Sequence, residues 1–359
     1  MRVHNFCAGP CTLPLPVLEE VQAELLDFRG SGMSVIEMSH RSPEYEAVHD
    51  EALSLFRSVY AVPEDFSIVF LQGGATLAFA VVPMNLLADG DRAGYVRSGS
   101  WGKGALKDAQ VVGDAYAAWD GEPFSFMRMP SVDELAIADG SRYLHVTSNE
   151  TIEGIRIASF PEVDVPLVAD MSSDYLSRPI PWGRFDLVYG GAQKNLGPAG
   201  LTVVVARTEV LERAPAGLPR YLRLAGHAEA KSLMNTPPMF AIYVTGKVLR
   251  WIRDLGGAEG MAERAARRSG EVYEAIDASE GFYRSPVERA DRSHMNVVFR
   301  TPSDETDAAF VKAAEQEGLV NLKGHRSVGG VRASIYNAMT DEGVDALVGF
   351  MASFRDANG

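Results

Sequence analysis

Cysteine is scarce. Cys7 and Cys11 are the only two in 359 residues, too few for a disulfide framework. Their Cys-x3-Cys spacing offers at most two metal ligands, and no histidine lies close enough in sequence to complete a clear set. No metal centre is expected, and free thiols in a reducing compartment are. No uncharged apolar run reaches about 18 residues, so no membrane span is expected. The opening Met1-Arg2-Val3-His4-Asn5 has none of the apolar character of a secretory signal, which makes a cytoplasmic location the expectation. Positive charge is also short: 34 Lys plus Arg against 48 Asp plus Glu leave a net charge of −14. That excludes general nucleic-acid binding, which needs a positive surface. It leaves room for small anionic ligands, because a few convergent basic groups suffice for those. Low-complexity tracts and repeats of 20–50 residues are absent.

What is present is strand, turn and helix in alternation. Pro14-Leu15-Pro16 opens an amphipathic stretch with Val17, Leu18, Val21, Leu25 and Phe28 on one side. Gly30 follows, and the spacing predicts one helix across it. Short apolar runs at 67–71, 143–147, 166–169, 186–189 and 201–206 predict strands, and 77–87 predicts a helix bent at Pro83. This mixture predicts an α/β domain with a mostly parallel sheet. Leu255-Gly256-Gly257 is the best linker candidate. Beyond it a charged helix (258–277), a strand (295–299), a helix (304–317) and a strand (331–335) predict a smaller α+β domain. The expected division is a large domain over 12–255 and a small one over 256–359, which also takes in the N-terminal segment 1–11.

Three segments carry candidate chemistry. In Tyr189-Gly190-Gly191-Ala192-Gln193-Lys194-Asn195-Leu196-Gly197-Pro198-Ala199-Gly200, one lysine follows a strand amid small residues that let a bulky group approach. It is no Walker loop, because Gly-x4-Gly-Lys-Ser/Thr is absent. A lysine at a strand end can serve as a Schiff-base nucleophile, although taken alone it reads more often as an exposed loop residue. Asp170 ends the apolar run 165–169, 24 residues before Lys194. It could face a pyridine nitrogen, or merely cap a helix. Gly73-Gly74-Ala75-Thr76, between a strand and a helix, could bind phosphate through its amides, but lacks the Gly-x-Gly-x-x-Gly pattern of dinucleotide folds.

A phosphate cradle, an aspartate and a lysine in that chain order suit pyridoxal 5'-phosphate. Here the sequence resembles the phosphoserine aminotransferases, fold-type-I pyridoxal-phosphate enzymes. The resemblance runs nearly end to end, from Asn5-Phe6-Cys7-Ala8-Gly9-Pro10 to the 323–339 stretch. Gly-Ala-Gln-Lys-Asn-Leu-Gly-Pro-Ala-Gly and Lys-Gly-His-Arg are its most specific runs. It implies Lys194 as the Schiff-base lysine and Asp170 as the partner of the pyridine nitrogen. Trp101, in Ser98-Gly99-Ser100-Trp101-Gly102, would stack on the ring, where an unassigned tryptophan would usually be core packing. Thr151 would lie near the ring. Ala75, Thr76 and Gln193 would hold the phosphate, with Asn235 and Thr236 reaching it from a neighbouring subunit. Some family members carry Arg where this chain has Thr76; a hydroxyl can still donate a hydrogen bond there.

The implied reaction is ping-pong transfer of an amino group from L-glutamate to 3-phosphohydroxypyruvate, giving 2-oxoglutarate and O-phospho-L-serine for serine biosynthesis. The anionic ends of 4-phosphohydroxy-L-threonine, in pyridoxine biosynthesis, are the same and leave that substrate open. One site must hold a phosphate or a second carboxylate in turn, which suits arginine forks. By resemblance Arg332 binds the α-carboxylate. His40, Arg41, His325 and Arg326 bind the distal anion, partly across a homodimer interface. Two other readings compete: a related aminotransferase such as the alanine–glyoxylate type, or a cysteine desulfurase. The second needs a catalytic thiol, and both cysteines lie at the extreme N-terminus. A catalytically dead homologue is the reading from outside enzymes.

Overall fold

The computed structural model describes residues 2–359. In chain order the strands are β1 (His4–Asn5), β2 (Phe66–Gln72), β3 (Arg92–Arg97), β4 (Asp114–Asp120), β5 (Ser141–Thr147), β6 (Asn149–Glu150), β7 (Ile155–Arg156), β8 (Leu167–Asp170), β9 (Phe185–Gly191), β10 (Leu201–Arg207), β11 (Asn296–Phe299), β12 (Leu319–Val320) and β13 (Val331–Ser334). The α-helices are α1 (Leu15–Glu24), α2 (Pro43–Val59), α3 (Ala75–Leu86), α4 (Ser100–Val112), α5 (Thr208–Glu212), α6 (Leu224–Glu229), α7 (Met239–Asp254), α8 (Gly257–Asp277), α9 (Asp304–Gln316) and α10 (Asp341–Asn358).

Seven strands form the central sheet in the order β2-β10-β9-β8-β5-β3-β4. Only β10 runs antiparallel to its neighbours, so β2, β3, β4, β5, β8 and β9 all point the same way. Both faces are covered, and the alternation of side chains sorts each strand between two cores. Val203 and Val205 of β10 face the core built with α2 and α7, while Val204 and Ala206 face the one built with α3 and α4. This explains why the central strands read as unbroken apolar runs. The expected α/β class and mostly parallel sheet are what the chain forms.

A third core joins β11, β13, α8, α9 and α10. Phe6 is fully buried in it, and β1 pairs in parallel with β12. The helix expected from Pro14 to Phe28 is shorter. It stops at Glu24, and Arg29 takes a left-handed φ of 53°. Asp27 Oδ1 accepts the Gly32 amide at 2.8 Å, turning the chain, while Phe28 packs edge-on against Tyr243 at 5.7 Å. A local side-chain acceptor and one buried ring outcompete continued helix. Pro83 lies inside α3, as expected.

Candidate active site

Because six strands of the sheet share one direction, their carboxyl ends share one edge, where open α/β sheets bind ligands. The turns there carry the candidate residues. Gly73 and Gly74 follow β2, Ser98–Trp101 follow β3, Ser148–Thr151 follow β5, Asp170 ends β8, and Lys194 follows β9.

Lys194 is buried, and its Nζ donates to Thr151 Oγ1 at 2.6 Å. Burial lowers its ammonium to about 8, against the upward pull of Asp170 and Glu150; Arg332 adds to the lowering. The Nζ lies 5.6 Å from the centroid of the Trp101 ring. Asp170 is also buried, and burial raises its carboxyl despite bonds from Ser172 and the charge of Lys194. The Ser172 amide (2.9 Å) and hydroxyl (2.5 Å) both donate to Oδ1, and among the described residues no group bonds Oδ2. At the first turn of α3, the amides of Ala75 and Thr76 have no acceptor among the described residues.

The class-V aminotransferase family model matches residues 3–347. The phosphoserine aminotransferase of Niallia circulans is 49% identical over 359 residues, covering 100% of this chain and 99% of the relative. The solved phosphoserine aminotransferase from Bacillus circulans subsp. alkalophilus superposes with a TM-score of 0.98 at 49% identity, over 100% of this chain and 99% of that one. The pyridoxal-phosphate-bound enzyme from Trichomonas vaginalis gives 0.93 at 37% identity, over 98% and 100%. The chain belongs to the phosphoserine aminotransferase family. It is a pyridoxal-phosphate-dependent transaminase.

The residues present fit that cofactor. A reactive buried amine, a free carboxylate oxygen and unpaired helix-start amides are the three groups it needs. A Cβ at Gly74 or Gly200 would meet nothing within 4 Å, so the corner before α3 is open. The Trp101 Nε1 is buried without a protein acceptor. Thr76, at that corner, is exposed, and Gln193, next to Lys194 in the chain, is half-buried.

The anion-binding candidates are placed differently. Arg332 is half-buried, and its Nη1 donates to the Thr151 carbonyl at 3.3 Å, which brings it beside Lys194. His325 and Arg326 lie on the loop between β12 and β13, with Arg326 exposed and His325 Nδ1 at 2.7 Å from the Ser327 hydroxyl. That loop roofs a cavity of about 640 Å³ whose lining includes Arg300, Lys312 and Lys323. Lys194 is not among the lining residues, so the cavity is separate from the lysine site. Arg41 is exposed. His40 instead meets Thr236, Nδ1 to Oγ1 at 3.3 Å, and Asn235 bonds the Thr236 carbonyl at 3.0 Å. Among the described residues no hydrogen bond joins His40, Arg41, His325 or Arg326 to the set around Lys194.

Two features escaped the sequence reading. The cysteines are remote from Lys194 in sequence but not in space. Cys11 Sγ donates to the Lys194 carbonyl, and a Cβ at Gly9 would lie 3.5 Å from Lys194 Cγ. The argument against a desulfurase from sequence position therefore fails. A physical one replaces it: burial pushes the Cys11 thiol up to about 12, so it carries no thiolate to attack with. The second feature is a pair of buried glutamates, Glu150 and Glu153, flanking Thr151. Their spacing beside a family-matching threonine was the available signal.

Proposed function

We propose that this chain moves the amino group of L-glutamate to 3-phosphohydroxypyruvate, with Lys194 as the proton carrier at the substrate Cα. The observation that carries the proposal is the Lys194 amine, lowered to about 8 and held by the Thr151 hydroxyl at 2.6 Å. An amine with that pKa is neutral in part under working conditions and accepts a proton readily. Bound pyridoxal phosphate supplies the electron sink that makes the Cα proton acidic. Asp170, through the oxygen its neighbours leave free, holds the proton on the pyridine nitrogen. Trp101 covers the ring and excludes water. The amides of Ala75 and Thr76, with Gln193, take the phosphate, joined by Asn235 and Thr236 of a second copy.

Arg332 binds the α-carboxylate common to both substrates, since its contact with Thr151 sets it beside Lys194. His40, Arg41, His325 and Arg326 take the distal phosphate or carboxylate. Arg41 and Arg326 are exposed and the two histidines half-buried, which suits groups that meet their ligand, or a second subunit, rather than each other. Met33 and Ile36, just before His40, stay exposed, apolar surface of the kind a homodimer covers. Residues 12–255 form the large domain and 256–359 the small one. Pairing of β1 with β12 supports placing segment 1–11 with the latter. Free thiols suit the cytoplasm; among the described residues no helix is long and apolar enough to cross a membrane.

The test is a coupled assay with glutamate and either 3-phosphohydroxypyruvate or its unphosphorylated analogue. The phosphorylated ketoacid should win by about 100-fold in kcat/KM. The Arg41→Ala, Arg326→Ala double variant should erase most of that preference. Equal turnover of both ketoacids by the unaltered chain would remove the assignment.

A further inference from the structure

Helix α4 begins where Trp101 must be held, yet its own N-cap is Gly99, with no side chain to offer. The first bond closing the helix runs from the Lys103 amide to the Gly99 carbonyl at 2.9 Å. The amides of Ser100, Trp101 and Gly102 therefore need acceptors from elsewhere. Two carboxyls from the turn 149–154 supply all three. Glu150 Oε2 accepts the Trp101 amide at 3.0 Å. Its Oε1 accepts the Gly102 amide at 2.8 Å and the Ser98 hydroxyl at 2.9 Å. Glu153 Oε1 accepts the Ser100 amide at 2.9 Å and hydroxyl at 2.6 Å.

The backbone is shaped around these carboxyls. A Cβ at Gly99 would fall 2.7 Å from both Glu150 Cδ and Glu153 Oε2. At Gly102 it would fall 2.7 Å from the Val96 carbonyl and 3.1 Å from Glu150 Oε1. The same turn carries Thr151, which bonds Lys194 through its hydroxyl and Arg332 through its carbonyl. Asn149 ties it to Ser173 and Asn296, each at 2.9 Å. Burial pushes both glutamates up, Glu150 to about 8 with the charge of Glu153 adding to the rise. The bonds donated by Ser98, Ser100, Trp101 and Gly102 pull back against that rise, and Glu153 Oε2 has no partner among the described residues.

We propose that Glu150 is the positioning residue for Trp101: its buried carboxylate locks the first turn of α4 to the turn that carries Thr151, fixing the indole relative to the Lys194 amine. The inference rests on Trp101 as the ring-covering residue. Glu150 touches neither substrate nor cofactor in this role. Its two carboxyl oxygens accept one amide each at the helix start, which a side chain with a single acceptor oxygen cannot do.

The test compares holoenzyme with Glu150→Gln. A glutamine presents one oxygen and one NH2 group, so the amide of Trp101 or Gly102 loses its acceptor. Backbone hydrogen exchange in the 98–104 peptide should speed up about tenfold, with peptides of the small domain unchanged. The visible circular-dichroism band of the bound cofactor, a measure of ring asymmetry, should shrink. Turnover should fall about tenfold with KM for glutamate within about twofold. Glu150→Asp, one methylene too short, should behave alike and serves if the glutamine variant does not fold. Wild-type exchange and an unchanged dichroism band in either variant would overturn the proposal. So would a fall in turnover with both spectroscopic measures intact, since Glu150 would then act on the chemistry directly. If the unaltered enzyme failed to transaminate, the reading of the site would fall, while exchange and dichroism would still decide the role of Glu150.

Discussion

The two halves of the site are built on opposite plans. Around Lys194 the partners Thr151 and Asp170 are buried, bonded within the chain and mounted at strand ends, with Trp101 and Arg332 half-buried beside them. Around the distal anion the candidates sit on loops: Arg41 and Arg326 are exposed, and His40 leaves a buried Nε2 without a partner. The first half performs chemistry common to both substrates, so it gains from rigid preorganisation. The second must accept a phosphate in one half-reaction and a carboxylate in the other. Loop-borne forks adjust to either, and the exposed guanidinium groups of Arg41 and Arg326 keep their donors free for ligand. On the proposed assignment, one plan lowers the barrier and the other selects the substrate.

The largest break in this contrast is Lys194→Met. Removing the proton carrier should cost about 10⁴-fold in kcat, read by the coupled assay. A variant retaining a tenth of the activity would mean that another base serves, and the buried half would lose its centre.

The same substitution sharpens the contrast through stability. The lysine ammonium drops from 10.5 to about 8 on folding, because burial penalises its charge. Between those values the unfolded chain binds more protons than the folded one, so stability rises with pH across that window. The full penalty, about 3 kcal/mol, is present below the folded value and gone above the unfolded one. Cofactor-free Lys194→Met should therefore be more stable than the parent by up to that amount below pH 8. The gain should fade toward pH 10.5 in urea titrations. A gain independent of pH would mean that packing, rather than charge, is what the methionine relieves.

Arg326→Ala tests the other half. KM for the phosphorylated ketoacid should rise about tenfold, and less in high salt, because an exposed charge is screened. The melting temperature should stay within about one degree, since no folded-state partner is lost. A large drop in melting temperature would place Arg326 in the scaffold and erase the distinction.

How much of this was legible follows the same division. Strands β2, β5, β8, β9 and β10 were readable because burial on both faces makes each a short apolar run between turns. Strands β3 and β4 (Arg-Ala-Gly-Tyr-Val-Arg and Asp-Ala-Tyr-Ala-Ala-Trp-Asp) were not, because their ends are charged and their small residues carry little signal. Lys194 and Asp170 stood out through their place after such runs. Glu150 did not, because a carboxylate that caps a helix fifty residues earlier in the chain leaves no local period. The contact of Cys11 with Lys194 was hidden for the same reason: the N-terminal segment reaches the lysine only through tertiary folding.

Thr76→Val is the finest probe, because it sits where the two plans meet. The residue is exposed in the first turn of α3, yet its amide belongs to the cradle on the buried side. If the amides of Ala75 and Thr76 bear the phosphate, losing the hydroxyl removes one neutral donor and leaves the helix start intact. That is worth about 1 kcal/mol, or about fivefold in cofactor affinity. Competition dialysis against free pyridoxal phosphate would measure it. Thr76→Arg then sets the sign: an added cation should tighten binding in low salt and lose that advantage in high salt. A hundredfold loss in the valine variant would show that the side chain, and not the backbone, is the principal donor. The cradle would then belong with the adjustable half of the site, built from replaceable side chains rather than fixed geometry.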